Sequence, residues 1–242
     1  MAISVPGPSL AIACAAGLAV FGPPIAAAQE VPAAEADGGS VDVSVSIVSD
    51  YRFRGWSLSG EDPALQLDAI ATHESGFYAG VFASSIEAYG GDEEGTGATV
   101  ELDFYGGWSG ELSGWQVDIG AQVYAYPGAD DANYIALPLS VSHSMGEVDL
   151  TAGFEHSPAQ SALGGETSNY TWLEAGWSPL DWDVALRSSI GFEDGAMAPG
   201  GKTDWLVSAT LPAGMLEFAL TYVDSDEAEA GSALVAEART YF

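Results

Sequence analysis

Charged side chains at every second position open the chemistry of this chain: Asp50, Arg52 and Arg54. On an extended backbone alternate residues share a face. The three would then form a short row of opposite charges. Such a row can set a transverse field across a polar channel. It can equally be an ion-pair network that fills a closed interior and fixes strand register. Asp68, Glu101, Asp103, Asp118, Asp149, Glu155, Glu174, Asp183, Asp204 and Glu217 repeat the pattern, each on the polar face of its own segment. Arg187 and Arg239 are the further cationic partners on that face.

Other chemistry is sparse. His73, His143 and His156 are the three histidines. A lipase on a barrel wall would need His, Ser and an orienting group within hydrogen-bond reach. His73 and Ser75 have a suggestive spacing but fall at a tight turn. The acidic runs Asp92–Glu94, Asp130-Asp131 and Asp224–Glu229 carry oxygen ligands that suit Ca²⁺ or Mg²⁺. They lack a twelve-residue calcium loop, and a solvated, repulsive surface is the simpler reading. There is no paired-His spacing, phosphate-binding Gly loop or dinucleotide fingerprint. Neither a catalytic residue, a metal site nor a cofactor is expected.

The elements that position these groups follow from composition. The 242 residues include 35 Asp and Glu against 5 Lys and Arg, a net charge of −30. Nucleic-acid binding needs a basic footprint, and docking on anionic lipid needs one too. Mean hydropathy is nevertheless +0.14, with 48% hydrophobic and 11% aromatic residues, which excludes a disordered acidic chain. The first charged side chain is Glu30. An apolar run over Leu10–Phe21, then Pro23-Pro24 and Ala26-Ala27-Ala28, reads as a signal peptide over residues 1–28. An uncleaved anchor is the rival, though the run is short for a span of about 20 residues. Cys14, the single cysteine, lies inside it, so the mature chain would hold no disulfide or thiolate site. Residues 29–40 read as a short linker.

From Val41 onward the chain alternates with the period of a half-buried strand. Val41, Val43, Val45, Ile47, Tyr51 and Phe53 take one face; Asp42, Ser44, Ser46, Asp50, Arg52 and Arg54 take the other. The pattern recurs through Leu65–Ala71, Val100–Trp108, Trp115–Val123, Ile135–Val141, Val148–Phe154, Leu173–Trp177, Trp182–Phe192, Trp205–Leu211, Leu216–Tyr222 and, more weakly, Leu234–Phe242. Phe77–Glu87 is a further strand without an assigned facing. This predicts an all-β antiparallel up-and-down barrel over residues 41–242, with about twelve strands of roughly 9–14 residues, the length that crosses a bilayer at a tilt.

Connections and aromatics test that reading. Long loops at Gly55–Asp62, Ala88–Gly97, Pro127–Ala132, Ser157–Thr167, Asp194–Lys202 and Asp224–Ser232 alternate with shorter ones at Glu74–Gly76, Ser109–Gly114, Ser144–Gly146, Ser178–Asp181 and Pro212–Gly214. Outer-membrane barrels alternate in this way. Trp108, Trp115, Trp177 and Trp182 fall beside the short turns on the apolar face, as an aromatic girdle does. Phe53, Phe154, Phe192, Trp205 and Tyr222 fall at the opposite ends. A secreted β-sandwich also alternates, but its loop lengths have no reason to.

The run Ser49-Asp50-Tyr51-Arg52-Phe53-Arg54-Gly55, with Ser57-Leu58-Ser59 and Asp62-Pro63-Ala64-Leu65-Gln66, resembles the TorF-type porin family. Gly76–Val81, Glu101–Gly107, Ser109–Leu112, Tyr126–Gly128, Asp204-Trp205 and Tyr222–Asp226 extend the likeness over nearly the whole mature chain. Ala136, where that family carries an acid, and Ser84-Ser85, where Asn is usual, depart from it. The resemblance implies a pore in the outer membrane of a Gram-negative bacterium. It supplies no substrate.

The expectation is a non-enzymatic channel for passive diffusion of small hydrophilic solutes, cationic or neutral because the lumen is acidic. Its partners would be outer-membrane lipid, the solutes, and the outer-membrane assembly machinery through the terminal Phe242. A non-conducting barrel with a binding or structural role is the alternative.

Overall fold

The computed structural model describes residues 38–90, 97–179 and 182–242. The expected signal peptide, most of the linker, Cys14 and the acidic run Asp92–Glu94 lie outside the described residues. The strands are β1 (Gly39–Val48), β2 (Arg52–Phe53), β3 (Trp56–Ser57), β4 (Ala64–His73), β5 (Phe77–Tyr89), β6 (Ala98–Leu112), β7 (Trp115–Ala125), β8 (Tyr134–Met145), β9 (Val148–Ser157), β10 (Ser168–Trp177), β11 (Ala185–Gly195), β12 (Ala198–Ala213), β13 (Leu216–Ser225) and β14 (Ala233–Tyr241). All but β2 and β3 join one closed antiparallel barrel of twelve strands among the described residues. Each barrel strand pairs with its sequence neighbours. The ring closes where β1 meets β14, with Ser44 opposite Tyr241 and Val48 opposite Glu237.

Its polarity is the reverse of a water-soluble protein. Leu173, Ile47 and Leu65 are about 60% exposed on the outer wall, whereas Asp103 and Glu101 are fully enclosed. A sandwich would bury its apolar faces between two sheets; this sheet turns them outward, which suits hydrocarbon. The fold is a transmembrane antiparallel β-barrel.

Inside, large rings lie flat against glycines. Trp172 on β10 is laddered with Gly153 of β9 and Gly191 of β11. A Cβ added at Gly153 would fall 1.9 Å from the Trp172 ring, and one at Gly191 would fall 2.0 Å from the Tyr170 hydroxyl. The missing side chains let two rings share the wall of a narrow tube.

Several expectations need correction. Strand β1 stops at Val48 rather than continuing to Phe53. Its continuation folds into the lumen, so Tyr51 is buried inside and Phe53 packs against Tyr124, neither facing lipid. The reason is a tight reversal: Phe53 pairs with Trp56 across Arg54 and Gly55, both with positive φ (48° and 91°). That is the geometry of a I′ hairpin turn. The connection expected at Ser109–Gly114 is a two-residue turn at Ser113-Gly114. Asp194–Lys202 is not a loop. Strand β12 starts at Ala198 with Gly200 and Gly201 at positive φ, which carries Lys202 into the wall. Trp182, Asp183 and Val184 precede β11, and Asp183 is exposed instead of facing the lumen.

Apart from β10–β11 and β11–β12, long and short connections alternate, so one rim carries loops and the other tight turns. Trp108, Trp115, Trp177 and Trp182 all lie by the short-turn rim. Trp108 donates from Nε1 to the Ser75 carbonyl (2.9 Å), and Trp177 lies 5.4 Å from Trp182 between ring centres.

Candidate functional site

Chain direction places the site. Between Val48 at the long-loop rim and Ala64 at the start of β4, the β2–β3 hairpin descends into the lumen as a plug. Its framework is internal: Tyr51 N–H donates to Ser59 Oγ (2.9 Å), while Ser57 and Ser59 donate to Asp50 Oδ1 (2.6 and 3.3 Å). Asp50 also accepts from Arg52 Nε at 2.5 Å.

Arg54 sits at the hairpin tip in a left-handed conformation that costs a non-glycine residue about 1–2 kcal/mol. That turn aims the guanidinium across the tube. Nη2 meets Glu155 of β9 at 2.6 Å and Nη1 meets Glu193 of β11 at 2.7 Å. The guanidinium also lies over the Tyr170 ring, 3.9 Å from its centre. Burial alone would lower the guanidinium's proton affinity, but Glu155 and Glu193 outweigh it and hold Arg54 charged above its ordinary range. Lys202 closes the ring, donating to the Arg54 carbonyl (2.7 Å) and pairing with Glu193 (2.9 Å). Arg52 ties the other side of the hairpin to the last long loop through the Ala230 carbonyl (2.6 Å).

Tyrosines anchor the plug's flank. Tyr51 and Tyr126 both donate to Glu101, at 2.6 and 2.8 Å. Both lie outside the spanning strands. Burial, and with it neighbouring charge including Glu101, holds each hydroxyl protonated well above the ordinary tyrosine range. Tyr124 stacks on Tyr134 at 4.3 Å. Asp103 accepts from Gln122 at 3.0 Å.

Nearer the short-turn rim the lumen is looser. Asp68 accepts from Tyr105 and Asp118 from Tyr78, both at 2.9 Å. Arg187 pairs with Glu174 at 2.5 Å.

The structure places Asp50, Arg52, Arg54, Asp68, Glu101, Asp103, Asp118 and Arg187 on the inner side, and Asp183 outside it. They are not one ladder, however. Asp50, Arg52 and Arg54 belong to the plug, and Arg54 pairs across the tube rather than along a strand. Sequence reasoning missed Lys202 and Tyr51. Lys202 shares the even parity of Asp204 on the same strand, a signal hidden by the Gly-Gly step before it. His73 Nδ1 lies 2.6 Å from Ser75 Oγ at a turn on the short-turn rim. Among the described residues no cluster of three His, Asp or Glu side chains is placed to hold a metal ion.

A family profile matches residues 33–241. The chain belongs to the family described as bacterial protein of unknown function (Gcw_chp). A comparison with curated proteins finds no match. Among solved structures, the NanC porin is similar at a TM-score of 0.52 and 9% identity, covering 84% of this chain and 98% of that one. A membrane protein from work on in-meso crystallization is similar at 0.54 and 7% identity, covering 84% and 83%. An outer membrane channel from Pseudomonas putida F1 is more distant, at 0.42 and 12% identity with 89% and 99% covered. The first two likenesses establish a shared barrel fold.

Proposed function

We propose that this Gcw_chp chain is a porin-like channel of the TorF type in the outer membrane of a Gram-negative bacterium, with its long loops outward and no enzymatic role. It passes small hydrophilic solutes, cationic or net neutral, and the first loop is its constriction. The observation that carries the reading is the inward-turned carboxylates, Asp68, Glu101, Asp103 and Asp118 among them, which outnumber the cations on the inner wall. Low-dielectric walls lined by one sign of charge concentrate the opposite ion.

Refolded barrel in a planar bilayer should give small discrete currents with a reversal potential on the cation side. An anion-side potential removes the selectivity. Silence from the wild type, and also from a variant lacking the Arg54 side chain, removes the channel.

A second reading has its own observation. Arg54 is sealed by two carboxylates and a ring, and the cavities bordering the plug are of only about 40 and 30 Å³. That packing suits a non-conducting barrel, which the same bilayer experiment separates.

A further inference from the structure

Two cavities adjoin between the plug and the barrel wall, bordered chiefly by β10–β14 with Val48 of β1 and Gln66 of β4. One, of about 40 Å³, is bordered by Arg52, Arg187 and Arg239. The other, of about 30 Å³, is bordered by Arg54, Trp172, Arg187 and Asp204. Arg187 and Leu206 border both, so the two form one seam. Each exceeds the roughly 10–15 Å³ that one water molecule requires.

The seam holds donors without acceptors. Arg54 Nε, Trp172 Nε1, Arg187 Nε, and both Nε and Nη1 of Arg239 are buried with no hydrogen-bond partner among the described residues. Trp172 is 4% exposed and Arg239 6%. Glu237 Oε1 lies 2.5 Å from Arg239 Nη2, which leaves Asp204 Oδ2 as the idle acceptor beside the seam. The chain's other cations differ. Arg52 is bonded to Asp50 and to the Gly55, Ala230 and Gly231 carbonyls, and Lys202 to Glu193 and the Arg54 carbonyl. Buried polar groups are rarely left unpaired in native proteins. An excess of N–H groups from three guanidiniums and an indole calls for an oxyanion, and guanidinium forks match a carboxylate in shape.

We propose that this seam binds the carboxylate of a small solute between Arg187 and Arg239. Asp50 of the plug and Glu237 and Asp204 of the wall border it, Glu174 pairs with Arg187, and Glu217 lies opposite Arg239. A bare anion is repelled by them, so a net-neutral zwitterion is the carboxylate carrier that meets least resistance. This rests on the lumen's being the functional face. It narrows the solute class of the channel reading to compounds carrying a carboxylate beside a cationic group.

The test measures binding without current. Detergent-folded wild-type barrel is titrated with glycine and followed by saturation-transfer NMR, with acetate, methylammonium and chloride as competitors. Glycine should bind, acetate should displace it only at several-fold excess, and methylammonium and chloride at that same excess should not. Arg239→Gln and Arg187→Gln should each weaken glycine binding about tenfold. Arg239→Lys, which keeps the charge but loses the fork, should fall between. If Arg239→Gln does not fold, Arg187→Gln decides, because that side chain is the less buried of the two. Absent glycine binding in the wild type, unchanged binding in the Arg187 variant, or equal displacement by chloride each overturns the assignment. A barrel that conducts but ignores glycine keeps the channel reading and loses this one; a silent barrel that binds glycine does the reverse.

Discussion

The two halves of the lumen solve the same problem differently. At the long-loop end, buried carboxylates are neutralised by cations brought in on a separate hairpin, and Glu155 and Glu193 find Arg54 from across the tube. At the short-turn end the acids stay on their own strands and accept from tyrosines two strands away, as Asp68 does from Tyr105 and Asp118 from Tyr78. The first arrangement is tight and long-range in sequence. The second is local and less tightly sealed, the Glu174 and Arg187 side chains each keeping 17% exposure. A barrier to permeation and a screen for charge can therefore reside at different depths of one tube.

The largest break in that contrast should come from Arg54→Ala. It leaves Glu155 enclosed without a cation and Glu193 with Lys202 alone, and breaking a buried pair costs about 3–5 kcal/mol. Urea unfolding in detergent should register it, and bilayer current should rise several-fold as the hairpin loses its hold. Next is Gly191→Ala, which drives a methyl into Tyr170. Overpacking of this kind costs about 1–3 kcal/mol, so the unfolding midpoint should drop while selectivity is kept. Glu174→Gln, at the looser end, should cost about 1–2 kcal/mol, because the mostly buried Arg187 keeps only a weaker, neutral partner, and it should also shift the reversal potential. If it unfolds the barrel as Arg54→Ala does, the two ends are not distinct. Smallest is a pH effect. The Tyr51 and Tyr126 hydroxyls are held above their ordinary value, near 10 when unfolded. A raised folded value contributes stability that is complete below the unfolded one and is lost as pH climbs beyond it. The wild-type unfolding midpoint should hold steady from about pH 8 to 10 and then fall, and the fall should be shallower in Tyr51→Phe.

Much of the fold was legible because side-chain period and barrel polarity are the same statement. Val100, Leu102 and Phe104 against Glu101 and Asp103 fix which way a strand faces without any knowledge of its neighbours. The plug was hidden for the same reason. Asp50, Arg52 and Arg54 keep the alternation of β1, so a period-two reading extends the strand straight through a reversal whose one local sign is Gly55. Arg more often continues a strand than turns a I′ corner, and what holds Arg54 in that corner is a pair of glutamates more than a hundred residues away in sequence. Lys202 was obscured by the opposite fault, Pro199-Gly200-Gly201 suggesting a loop where the sheet runs on. The place of Trp177 and Trp182 on the apolar face beside a connection was readable; the contact between their rings was not.

Every one of the chain's five basic residues, Arg52, Arg54, Arg187, Lys202 and Arg239, points into the tube. Trypsin cuts only after such residues, so an intact barrel offers it no accessible bond, and a single nick becomes a direct report that the sheet has come apart.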